Sequence, residues 1–86
     1  MRIAICEKDQ EQAESLFEYT QSWARERNIH AKTIRFQSAE EFLTKWNSEN
    51  TFDIIFISIE AGRMNGYELA KIIQRHDPNM EIIFMV

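Results

Sequence analysis

Apolar positions along the chain follow two spacings: short unbroken runs, and longer stretches in which they recur every three or four residues. Ile3, Ala4, Ile5 and Cys6 form the first run, ended by Glu7, Lys8 and Asp9, as suits a central strand buried on both faces. Ala13, Leu16, Phe17, Thr20, Trp23 and Ala24 then recur at helical spacing, while Glu11, Glu14, Gln21, Arg25 and Arg27 fall elsewhere. This predicts an amphipathic helix, capped by Asp9 with Gln12 three residues on. Residues 29–36 predict a second strand, and Lys32 and Arg35 within it point to a sheet edge.

Ser38, Ala39, Glu40 and Glu41 read as a capping box of the S-x-x-E type. It opens a short helix with Phe42, Leu43 and Trp46 on its inner face, stopping near residues 47–50. Residues 52–60 carry the central strand, whose apolar run from Ile54 is interrupted at Ser58 and leads into a polar loop containing Gly62 and Gly66. Asn65, with Glu68 three residues later, caps a third helix with Leu69, Ile72 and Ile73 inside, until Asp77 and Pro78 end it. Glu81, Ile82, Ile83, Phe84, Met85 and Val86 predict a fourth strand. Strands and helices alternate throughout, which implies an open α/β parallel sheet with right-handed crossovers and helices on both faces. Ligands and chemistry in such sheets sit beyond the carboxyl ends of the strands, here after the first and third.

At 86 residues the chain allows one domain, spanning 1–86, near the small end of what buries a self-sufficient core. Ten basic against fourteen acidic residues give a net charge of −4, with no stripe of Lys or Arg that could neutralise phosphates, which argues against direct nucleic-acid binding. The single cysteine, Cys6, can form no internal disulfide and has no metal-ligand spacing; it reads as a small buried apolar residue in a reducing compartment. The apolar runs are far too short for a bilayer span, and Glu7, Lys8 and Asp9 cut short any secretory leader. These features together predict a cytoplasmic protein.

The acidic cluster Glu7, Lys8 and Asp9, the run Met64-Asn65-Gly66-Tyr67-Glu68-Leu69-Ala70 and the run from Asp77 and Pro78 to Phe84 together resemble a response-regulator receiver domain of bacterial two-component signalling. The opening Met1-Arg2-Ile3-Ala4-Ile5-Cys6 is similar to that of LytTR-class transcription regulators. The resemblance implies a flavodoxin-like, doubly wound parallel sheet of order 2-1-3-4, lacking the last helix, strand and helix beyond Val86. It also implies a Mg²⁺ site on an acidic pair after the first strand, and an aspartate at the end of the third strand as phosphoacceptor, since hard oxygen ligands hold Mg²⁺ while a carboxylate accepts the phosphoryl group.

Ser58 occupies the phosphoacceptor position and Lys8 the second acidic one. A serine hydroxyl is un-ionised and has no histidine beside it here to act as base, so no catalytic residue and no cofactor are expected. Asp53 is five residues upstream, roughly 16 Å along a strand. Glu60 matches a family position that is acidic without being the phosphoacceptor. Glu7 and Asp9 leave two readings open: weak divalent-metal binding, or pairing with Lys8 and helix capping by Asp9. Gly66 and Asn65 serve the loop before the third helix. The resemblance with these departures implies a pseudo-receiver that acts through a protein partner or by self-association along the apolar edge from Ile82 to Val86, as a dimer, with no membrane or small-molecule partner. The alternative is a fragment of an ordinary phosphorelay regulator whose DNA-binding effector is missing here.

Overall fold

A computed structural model of the protein describes residues 1–48 and 51–85. The elements run β1 (Arg2–Cys6), α1 (Gln10–Glu26), β2 (Lys32–Phe36), α2 (Ala39–Ser48), β3 (Ile54–Ser58), α3 (Gly66–His76) and β4 (Glu81–Met85). The strands form one parallel sheet in the order β2-β1-β3-β4, as the resemblance implied. Val86 and the expected end of the second helix at residues 49 and 50 lie outside the described residues.

The cap side chains expected from the sequence bond the first turn at all three helices. Asp9 accepts the Gln12 N–H at 3.0 Å and Asn65 the Glu68 N–H at 2.9 Å, each satisfying a donor that the first turn leaves orphaned. At α2, Ser38 Oγ likewise accepts from Glu41 N at 3.0 Å.

The second strand is shorter than residues 29–36. Asn28 adopts φ 55°, a left-handed conformation that ends a helix, and Ile29 N–H is spent on Ala24 O at 2.8 Å. Residues 29–31 therefore complete the exit from α1, and pairing starts only at Lys32, opposite Arg2. The third strand is likewise shorter than residues 52–60, running Ile54–Ser58.

Alternation along the strands divides the core between two faces. Ala4, Cys6, Ile55 and Ile57 point to the face covered by α2 and α3, where they pack with Phe42, Leu69 and Ile73. Phe36, Phe42 and Phe52 form an aromatic cluster there, with centroids 5.2–6.0 Å apart. The other face carries Ile3, Ile54, Phe56 and Ile83, over which α1 is the only helix among the described residues; Trp23, expected in the core, is half-buried and lines a groove of about 230 Å³ with them. Cys6 is fully buried, and burial pushes its thiol pKa far up, so it behaves as a small apolar residue.

Candidate functional site at the strand ends

Register brings the expected groups to one edge. Cys6 lies opposite Ile57 in the β1–β3 ladder, so the next residues, Glu7 and Ser58, leave the sheet side by side. Asp53 is at the far end, where its carboxylate accepts the Arg2 N–H at 2.8 Å; it is removed from Ser58, as strand geometry required.

The acidic cluster does not converge on a common point. Glu7 is 6% exposed. Its Oε2 accepts from Asp9 N at 3.3 Å, and it lines a polar cleft with Gln10, Arg35, Gln37 and Glu41 on the β2 side. Asp9 is committed to capping α1. Lys8 turns the other way, its Nζ 3.8 Å from Glu60 Oε2. The expected pairing of Lys8 with Glu7 or Asp9 is thus replaced by one with Glu60, because adjacent side chains leaving a strand end point to opposite sides.

As the side chains are placed, their oxygens do not converge on a common cation position. An octahedral cation needs several convergent oxygens. Here one carboxylate is buried toward β2, one caps a helix, and the third, Glu60, is exposed with the Lys8 ammonium 3.8 Å away. No group of three or more His, Cys, Asp or Glu is arranged for a metal ion among the described residues. Ser58 is half-buried beside Glu7, and the sequence sets no histidine next to it.

The loop after β3 is nonetheless held firmly. Gly66 N–H donates to Ile59 O at 2.8 Å. A Cβ at Gly66 would lie 2.5 Å from Ser58 O and 2.8 Å from Ile57 Cγ2, so α3 approaches the end of β3 too closely for any side chain. Gly62 adopts φ +116°, and the first turn of α2 reaches the same loop through Ala39 N–H to Ala61 O at 2.6 Å.

Glu40 was not distinguished in the sequence. Its carboxylate accepts the Met64 N–H at 2.7 Å, and that bond, with further help from the Arg63 backbone and charge, holds it below the usual carboxylate range. The S-x-x-E pattern drew attention to Glu41 instead; only the tight loop containing Gly62 hinted that something would approach it.

The chain matches the family model "Response regulator receiver domain" over residues 3–86. No curated protein matches it. Among solved structures it is similar to a response regulator receiver domain protein from Clostridium thermocellum, with TM-score 0.78 and 13% identity over 96% of this chain and 62% of that one. It is also similar to the BeF3-activated DrrB receiver domain, with TM-score 0.74 and 24% identity over the same shares, 96% and 62%. At these identities the structures speak to the fold, and the chain spans about three-fifths of the length of each. With strand order, loop geometry and the match over residues 3–86 in agreement, the chain belongs to the response regulator receiver domain family.

Proposed function

We propose that this chain is a receiver module of bacterial two-component signalling that works without phosphotransfer, through contact with another protein or with a second copy of itself. Ser58 carries the reading. A neutral hydroxyl with no neighbouring histidine stands at the end of β3, where the family presents a carboxylate, and Lys8 lies 3.8 Å from Glu60. The frame of a phosphorylation site is kept while its chemistry is not. No helix among the described residues is long and apolar enough to cross a membrane, which fits a cytoplasmic module. A transcriptional role of the LytTR type belongs, on this reading, to a longer parent protein or to a partner.

Intact-mass measurement after incubation with a small acyl phosphate and Mg²⁺ tests the proposal. The mass stays unchanged if the reading holds; a phosphoryl adduct on Ser58 or Glu60 overturns it. A second reading, an ordinary regulator of which this is a piece, is favoured by the 62% coverage of the solved receivers. The reading frame downstream of the Val86 codon distinguishes the two.

A further inference from the structure

Glu7 is the one charged residue that is buried among the described residues, at 6% exposure. A carboxylate has about four acceptor positions, and taking it out of water is costly unless they are filled. Among the described residues its carboxylate accepts one hydrogen bond, from Asp9 N to Oε2, and at 3.3 Å that bond is long. The cation next to it in sequence, Lys8, lies 3.8 Å from Glu60 instead. Glu7 is a buried anion short of donors.

It borders a cleft of about 400 Å³, built from residues between Glu7 and Glu41 where β1 and β2 leave the sheet, at the edge away from β4. Ala13 and Phe36, both buried, give the cleft an apolar side. Gln10 and Gln37 contribute exposed amides, and Glu41 a second carboxylate. Glu41 is near enough to the end of β1 for its charge to add to burial in raising the Cys6 thiol pKa. Arg35 also lines the cleft, but its guanidinium is paired with Glu14 and lies over the Phe17 ring at 5.0 Å. The single cation of the lining is thus already matched by a third carboxylate. What is left over is negative charge and hydrogen-bond acceptors.

We infer that this cleft binds an organic cation, a guanidinium or primary ammonium group carried on an aliphatic stem. The head donates to Glu7 and Glu41 in charge-assisted hydrogen bonds, about twice as strong as neutral ones. The amide oxygens of Gln10 and Gln37 take further donors, and the stem lies along Ala13 and Phe36, as the stems of Lys and Arg cover apolar surface elsewhere. A bare Mg²⁺ ion is a poorer guest, because it demands an octahedron of oxygens at roughly 2 Å, whereas a guanidinium spreads five donors over a planar fork. The cleft opens on the β2 side, and Ser58 takes no part in it. The inference therefore stands apart from the proposed loss of phosphotransfer.

Amide-shift titration of the whole chain at low salt tests it, with n-butylguanidinium and n-butylammonium as probes and tetramethylammonium, which has no N–H, as the control. Saturable shifts centred on Glu7, Gln10, Gln37 and Glu41 are expected from the two probes and not from the control. Glu41→Gln, at an exposed position, weakens binding about tenfold, the share of one hydrogen bond to a charged group. Glu7→Gln keeps an oxygen for the Asp9 N–H and weakens binding at least as much, with the melting transition of each variant recorded beside it. A capped tripeptide with a central arginine separates two sources of the cation. Tighter binding than the free probe assigns the site to a side chain of a protein partner, and equal or weaker binding assigns it to a small free amine. No saturable response to either probe, an equal response to tetramethylammonium, or binding that folded Glu41→Gln leaves unchanged overturns the inference. A phosphoryl adduct on Ser58 overturns the proposed function alone.

Discussion

The Glu40 carboxylate, in the first turn of α2, accepts the Met64 N–H at 2.7 Å across 24 residues of chain. One side chain thus ties α2 to the loop that follows β3. The bond from Met64 is the largest cause of the lowered Glu40 pKa, followed by opposing desolvation and then the nearby Glu40 and Arg63 contributions. Because the folded value lies below the unfolded one, the tie is complete above the ordinary carboxylate range and is lost as pH falls through the lowered folded value. Exchange of the Met64 amide should accelerate over that acidic window. Glu40→Gln should flatten the pH dependence while keeping a weaker bond, and an unchanged Met64 profile in that variant would refute the assignment.

Gly66 is required by close approach rather than by φ. A methyl group there meets the Ser58 carbonyl at 2.5 Å, and backbone cannot rotate aside as a side-chain tip can. Gly66→Ala should destabilise the fold by about 1–3 kcal/mol, the range for overpacking a tight site. Chemical denaturation measures it. A stability equal to wild type would show that α3 can shift away from β3.

Phe42 is fully buried and contacts both Phe36 and Phe52 at 5.2 and 5.4 Å. Phe42→Ala removes the centre of the aromatic cluster and should cost about 3–5 kcal/mol. For a domain of this size that is a large share of the available stability, so the variant's unfolding transition, followed by circular dichroism, should fall well below that of the wild type.

Much of the fold was legible because it is written in local signals. The Asp9–Gln12 and Asn65–Glu68 caps recur in the structure at the expected bonds, and the apolar runs became strands in the expected order. The start of β2 was not legible, because residues 29–31 have strand-like composition but lose their first donor to the α1 carboxyl end, a choice made by Asn28. At the site, the adjacency of Glu7 and Ser58 follows from topology, yet the direction in which each side chain turns does not. Spacing cannot reveal that Glu7 packs toward β2, that Lys8 reaches Glu60, or that Glu40 reaches Met64, since each depends on distances set by the assembled sheet.

Lys8 and Glu60 are both well exposed, at 59% and 84%, and 3.8 Å apart. A surface pair of this kind contributes about 0–1 kcal/mol, so Lys8 can be replaced with little loss of stability. That leaves the strand ends open to construction of a metal site. Ser58→Asp alone adds a carboxylate beside Glu7 but leaves an ammonium in the cluster; Lys8→Asp with it removes the cation and adds a further anion. Each change should improve Mg²⁺ binding by on the order of tenfold, about 1.4 kcal/mol. In an amide-shift titration the wild type should give no saturable response at sub-millimolar Mg²⁺, Ser58→Asp a weak one and the double variant the strongest. Equal, non-saturating responses from all three would mean that the burial of Glu7 toward β2, rather than the charge of Lys8, is what keeps the cation out.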